Sequence, residues 1–321
     1  MKASLICAIM LITAWTSSAA IAAAACCARP TAASDTRQQP AAVVAGAQAV
    51  CPLAARADKP TEPGWPLTMM AWTFHRETLF DAIANAKELG VRYIELIPSH
   101  AVSSETGDVR LDKNASLAVI AKVKRELELA GIRPLAMYTN DLGEDEAKNR
   151  RVFDFAKVMG LTTIVGEPPV ESLPLIDRLA NEYDINVAIH NHPKPTRYWD
   201  PEIVLEAIRD LSPRMGVCAD TGHWLRSELD PVECLRKVEG RVHWVHFKDL
   251  NEKSRQGHDV VWGTGVGNAR AILEELKRQN YTGGISIEYE HNWGQAMPEL
   301  KGCVEFYRKT VAELFGDEQD R

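Results

Sequence analysis

The chain runs to 321 residues, 45% of them apolar and 25% charged, which is enough for one α/β barrel of about 250 residues plus an extension. Its formal net charge of −7 argues against a nucleic-acid or anionic-membrane partner and favours a small, neutral one. The seven cysteines show no Cys-x-x-Cys or other zinc-type spacing, and Cys218 falls on a strand predicted to face the core, so buried free thiols are expected rather than a disulfide framework.

In chain order, Lys2 precedes an apolar run from Ala3 to Trp15 and an alanine tract with small-x-small sites. This is the pattern of a cleavable secretory signal over residues 1–26. A membrane anchor is the alternative, disfavoured by so short and alanine-rich a run. Cys26 after Ala23, Ala24 and Ala25 leaves room for a lipid anchor, although the leucine expected three residues earlier is missing. The expectation is an exported, periplasmic protein. Residues 27–63, rich in Ala, Thr, Gln and Pro, read as a disordered tether, and 64–318 as one folded domain.

In that domain short apolar runs alternate with amphipathic stretches, the βα signature of a parallel sheet. Strands are predicted over Leu67–Phe74, Tyr93–Pro98, Arg133–Thr139, Thr162–Glu167, Ile185–His192, Met215–Asp220, Val242–Lys248 and Gly284–Glu290. Helices are predicted over Glu77–Leu89, Ser116–Ala130, Glu146–Met159, Leu173–Tyr183, Pro201–Arg209, Pro231–Val238, Asn268–Gln279 and Glu299–Phe315. Eight strands close a (β/α)8 TIM barrel, an α/β fold whose catalytic groups come from the C-terminal ends of different strands.

Polar side chains gather at those ends: Glu95, Glu167, His190, His192, Asp220, His246, Glu288 and Glu290. Strand alternation puts His190 with His192, and Ser286 with Glu288 and Glu290, on inward faces, while His243 falls on the opposite parity. The stretch GVCADTGHW, Gly216 to Trp224, reads as a buried strand entering a polar turn, with Asp220 either a cap or a ligand and His223 in the turn. His190, Asp220, His246 and Glu288, from four consecutive strands, form an N/O ligand set suited to a divalent ion such as Mn, Co, Zn or Mg. Either histidine of the fifth strand taken alone is as readily structural. Lys248 and Glu95 are open to a salt bridge across the barrel mouth as well as to a role in the site. Trp72, Trp199, Trp224 and Trp262 are candidates for stacking on a sugar ring or for packing. Gly263 and Gly265 lack the Gly-Lys-Ser/Thr ending of a phosphate loop.

The motifs CADTGH, VHFKD, WGTG (Trp262 to Gly265) and SIEYE, in eight-unit order over Leu67 to Phe315, resemble the xylose isomerase-like TIM barrels, the sugar phosphate isomerase/epimerase superfamily. The resemblance implies Asp220, His246 and Glu288 as metal ligands and His223 near the substrate. One departure stands out: His190, Asn191 and His192 occupy a place where many members have Glu followed by Asn-His. Those members use the glutamates of strands five and eight as paired acid and base. His190 can still bind metal, and the substitution looks similar to branches that act on oxidised sugars.

The expected function is a divalent-metal-dependent sugar isomerase or epimerase that abstracts a proton next to a carbonyl. Glu288 is the expected ligand or base, His192, His223 and Lys248 are candidates for proton return or hydroxyl binding, and Glu167 and Glu95 are expected either to support the ligands or to act on the substrate. The alternatives are a metal-dependent lyase, hydratase or hydrolase on 3-keto-glycosides, and a non-catalytic exported sugar-binding barrel. A DNA-repair endonuclease on this fold is disfavoured by the leader and the acidic charge.

Overall fold

Helix starts in this chain are set by side chains that satisfy first-turn amides. Thr78 caps α1 (Leu79–Glu88) in a reciprocal box with Asp81. Ser116 caps α2 (Leu117–Ala130) and Asp145 caps α3 (Glu146–Met159), while α4 (Leu173–Tyr183) begins with a proline in its first turn. Asp200 caps α5 (Pro201–Ile208). The computed structural model describes residues 64–316. The leader and tether read over 1–63, and the last two residues of the 64–318 domain, lie outside the described residues.

Between these helices run β1 (Leu67–Met70), β2 (Tyr93–Leu96), β3 (Arg133–Tyr138), β4 (Thr163–Gly166), β5 (Asn186–His190), β6 (Met215–Asp220), β7 (Val242–Phe247) and β8 (Gly284–Ile287). All pair in parallel in sequential order, and β8 returns to β1 to close the barrel. The fold is the TIM barrel that the alternation predicts.

Several strands stop short of the predicted ends. β1 gives way at Ala71–Phe74 to a 3-10 turn, β5 ends at His190 and β8 at Ile287. His192, Glu288 and Glu290 therefore sit on chain already leaving the ladder, where their side chains turn toward the barrel mouth rather than stay in layer. The predicted polar turn after β6 is a short helix, α6 (Thr221–Arg226), capped by Asp220. It leads to α7 (Pro231–Lys237), α8 (Ala269–Arg278) and α9 (Met297–Phe315).

Inside the barrel, small residues make room for one large one. Ala136, Val165, Ala188 and Cys218 cluster around Trp244, and a Cβ on Gly284 would lie 2.4 Å from the Trp244 ring, so only glycine fits beside it. Glu95 on β2 is fully buried in this layer. It accepts hydrogen bonds from Trp244 Nε1 at 2.7 Å and Ser286 Oγ at 2.6 Å. Cys218, Cys234 and Cys303 are buried free thiols. No helix among the described residues is long and apolar enough to cross a membrane.

One buried histidine makes stability depend on pH. Burial, then His75 and Arg110, push the His100 imidazole down to about 4 from 6.5. Between those values an unfolded chain takes up a proton that the folded one refuses, so stability falls as pH drops through that window and is fully regained above the higher value. The loss is about 3 kcal/mol. In urea melts at pH 4 and 7, His100→Phe should shrink the acid destabilisation by about that much; an equal loss in variant and wild type refutes it.

Candidate metal centre

Two imidazoles present bare nitrogens to one point at the C-terminal rim. His190 Nε2 and His246 Nδ1 are buried and have no hydrogen-bond partner. The opposite nitrogen of each ring is engaged: His190 Nδ1 lies 3.0 Å from Glu167 Oε1, and His246 Nε2 lies 3.0 Å from both oxygens of Glu95. With those nitrogens donating to carboxylates, the bare ones carry the lone pairs, which is how ligating histidines are held.

Asp220 and Glu288 complete the group. One ligand atom from each of His190, Asp220, His246 and Glu288 lies within 4.8 Å of the others. The two roles open for Asp220 use different oxygens. Oδ1 accepts the His223 amide at 2.7 Å and caps α6, whereas Oδ2 faces His190 Nε2 at 3.4 Å. Glu288 Oε2 is 3.0 Å from His246 Nδ1 and 2.8 Å from Lys248 Nζ, yet it makes no aligned hydrogen bond to either. Buried atoms left bare in this way are costly. Two imidazole nitrogens and two carboxylate oxygens converging on one point fit a divalent cation.

Charge balance comes from Lys248. Its ammonium is wholly buried, 2.7 Å from Asp220 Oδ2, 2.8 Å from Glu288 Oε2 and 3.1 Å from Glu290 Oε2. Gly222 of the CADTGH motif makes this possible, since a Cβ there would come 2.7 Å from the Lys248 side chain. Burial alone would raise the Asp220 carboxyl, but the charge of Lys248 beside it holds it well below the usual carboxylate range. Burial likewise opposes ionisation of Glu288, and the charge of Lys248 overcomes it. Both carboxylates are thus anionic, the form that binds metal.

A cavity of about 450 Å³ opens beside this group, and His190, His192, His246, Glu288 and Glu290 form part of its wall. Of the residues expected to act on substrate, Glu288 and His192 reach the wall, while Lys248, His223 and Glu167 do not. Lys248 is spent on three carboxylates. His223 is 6% exposed, kept neutral chiefly by burial, and stacks on His192 at 4.8 Å, which makes it a buttress rather than the substrate-side group expected. Glu167 stands behind the histidines: its Oε1 takes His190 Nδ1 and, in a very short contact, His192 Nδ1. The His192 side chain is 42% exposed, against 3% for His190.

Of the four candidate tryptophans, only Trp72 is on the wall. Trp224 and Trp262 are core residues, and Trp199 lies off the cavity. His243, as its parity predicts, points away and hydrogen-bonds the Pro213 carbonyl.

Three residues at the site were not singled out from the sequence. Tyr138 places its hydroxyl 3.2 Å from Glu167 Oε1 and from Asn140 Oδ1; burial, with Glu167 adding to it, raises the phenol well above its ordinary value, so it remains a donor. Arg226 reaches His223 Nδ1 at 3.1 Å, Glu290 Oε2 at 2.9 Å and Asp259 Oδ2 at 3.0 Å. Asp249, the last residue of VHFKD, accepts hydrogen bonds from the amides of Gly263, Gly265 and Gly267 at 2.9, 3.0 and 2.9 Å. It pins the WGTG segment, and its place in the VHFKD motif was the available clue.

Residues 83–309 match the family model described as xylose isomerase-like TIM barrel. An inosose dehydratase from Bacillus velezensis is 29% identical over 144 residues, 40% of this chain and 48% of that protein; the chain spans about half the length of the curated relatives it matches. Among solved structures, an uncharacterised protein from Parabacteroides distasonis is 34% identical with a TM-score of 0.62, covering 76% of this chain and 98% of its own. A xylose isomerase-like TIM barrel protein from Mycobacterium smegmatis, solved with magnesium, is 15% identical with a TM-score of 0.64, covering 78% and 97%.

Proposed function

The chain belongs to the xylose isomerase-like TIM barrel family, and from that premise we propose a metal-dependent enzyme that removes a proton from the carbon next to a carbonyl of a small sugar-like molecule, with β-elimination of a hydroxyl as the outcome. The observation that carries it is the pairing of the His190, Asp220, His246 and Glu288 group with an exposed His192 backed by Glu167 in the same cavity.

His190, Asp220, His246 and Glu288 would hold a divalent ion, which would supply Lewis-acid polarisation of the substrate carbonyl and so acidify the neighbouring C–H bond. The protein residues do the rest. Glu167 accepts a hydrogen bond from His192 Nδ1–H, fixing the tautomer in which Nε2 is the free base. His192 Nε2 takes the carbon-bound proton, and the C–H electron pair moves toward the carbonyl. The C–O bond at the next carbon then breaks, and the proton on His192 leaves with the hydroxyl as water. Tyr138 donates a hydrogen bond to Glu167 or Asn140 and steadies the Glu167–His192 pair.

Epimerisation needs a second group on the opposite face of the carbon to return the proton, the part played by paired glutamates in many family members, and isomerisation needs a group that returns it to the neighbouring carbon. Here His190 stands at the strand-five place and is committed to Glu167 and the ligand cluster. This favours elimination, as do the curated relatives named inosose dehydratase. Mass spectrometry of products from the metal-loaded protein and a panel of keto-cyclitols, ketoses and 3-keto-glycosides tests the outcome. Loss of water, or of the aglycone from a glycoside, is expected; an isomer of unchanged mass would assign isomerase or epimerase chemistry.

A further inference from the structure

We propose that Arg226 is a positioning residue: it locks His223 in one orientation and one tautomer, and through that ring it sets the tilt of the base His192. The role rests on proton abstraction by His192 as proposed above and names what holds that base in place.

The sequence sets the pair up. Arg226 follows His223 by three residues on α6, so the two side chains share a helix face. The Arg226 side chain is only 12% exposed, and its guanidinium is tied at every corner. Nε donates to the Gly257 carbonyl and Nη2 to Asp259 Oδ2, both at 3.0 Å. Nη1 turns one hydrogen to His223 Nδ1 at 3.1 Å and the other to Glu290 Oε2 at 2.9 Å. Asp259 is itself buried and accepts the Glu290 amide at 3.2 Å, while its carbonyl accepts the Tyr289 hydroxyl at 3.1 Å. The clamp therefore joins α6, the loop after β7 and the chain leaving β8 before any ligand arrives.

Donor counting fixes the tautomer. A guanidinium only donates and does not lose its proton in a protein, so the nitrogen it meets, His223 Nδ1, carries a lone pair. The ring hydrogen is then on Nε2, 3.6 Å from Asp220 Oδ2. Turning the ring over would set a C–H group against Nη1 and leave a buried donor unmatched. Lysine cannot copy this arrangement, because three partners lying in different directions need the planar fork.

Two imidazoles of the site rest on the ring so fixed. His192 stacks on it at 4.8 Å with planes 30° apart, and His190 meets it edge-on at 5.7 Å. Glu167 and the His190 ring hold His192 on one side, and the His223 face closes the other. That face settles the direction of Nε2, the nitrogen that takes the carbon-bound proton. Small errors in such an angle are expensive in rate and cheap in binding.

The test is long-range proton–nitrogen NMR of the histidine rings in 15N-labelled, Zn-loaded protein, with His223→Gln and His192→Asn assigning the two rings. Wild-type His223 should show a bare Nδ1 and a protonated Nε2; hydrogen on Nδ1 overturns the proposal, and this measurement needs no variant to fold. In Arg226→Lys, which keeps the charge, the His223 ring should lose its single-tautomer pattern and the His192 ring signals should move. Carbon-proton exchange on whichever keto-cyclitol, ketose or 3-keto-glycoside the wild type accepts should fall by about 10- to 100-fold in kcat, with KM and metal stoichiometry within about threefold. An arginine that merely supports the fold would lower the melting temperature and leave both ring spectra in place, which refutes the proposal, as does a kcat within about threefold of wild type. The two readings fail separately: a wild type that exchanges no member of the panel sinks the reaction, while the ring spectra still decide the role of Arg226.

Discussion

Asp220→Asn is expected to lower divalent-metal affinity by more than about 100-fold and kcat by about 1,000-fold while the barrel stays folded. Asparagine isolates one of the two jobs of Asp220. Its amide oxygen can still accept the His223 amide, as Oδ1 does at 2.7 Å, so the cap on α6 survives. The charge facing His190 Nε2 at 3.4 Å is lost. Lys248 keeps Glu288 and Glu290 as partners, so no ammonium is left buried and unpaired. Asp220→Ala should show the same metal loss and a further destabilisation of about 1 kcal/mol from the missing cap. Metal analysis after dialysis is the check; full metal content in the asparagine variant would reduce Asp220 to a helix cap.

His192→Asn separates chemistry from metal binding. It removes the exposed base and leaves the four ligands in place, so kcat should fall by about 100- to 10,000-fold with unchanged metal stoichiometry. Glu167→Gln should affect both properties, because the same oxygen meets His190 Nδ1 and His192 Nδ1: turnover drops and metal affinity falls by about 10- to 100-fold. Steady-state kinetics beside metal titrations reads out the pair. If His192→Asn retains kcat within about threefold, the base lies elsewhere on the cavity wall.

The closed barrel was legible because alternation of short apolar runs with capped helices is a local signal repeated along the chain. Period-two parity also put His190, Asp220, His246 and Glu288 at one rim, since each lies on or just past a strand whose inward face is fixed by neighbours. Parity weakens where the ladder ends. β5 stops at His190 and β8 at Ile287, so the alternation argument does not reach His192 or Glu290, whose directions depend on the loops. The six-residue helix after Asp220 was read as a turn because TGHWLR is too short to show a helical period and contains a glycine.

What stayed hidden depends on contacts far apart in sequence. Glu95 and His246 are 151 residues apart, and only closure of the barrel shows that the glutamate orients the imidazole. Arg226 and Glu290, 64 residues apart, pose the same problem. Trp72, Trp224 and Trp262 all sit near strand ends in the sequence, yet one lines the cavity and two fill the core. Nothing local distinguishes an indole that packs from one that waits for a ligand.

Proton NMR in deuterated water, with the Mn-free and Mg- or Zn-loaded protein and the keto-cyclitol panel, tests the central claim most directly. The loaded wild type should wash out the proton on the carbon next to the carbonyl, and chelation or His192→Asn should abolish that exchange. Exchange that persists in chelator, or its failure across the panel with fully loaded protein, would contradict a metal-assisted carbon-acid enzyme.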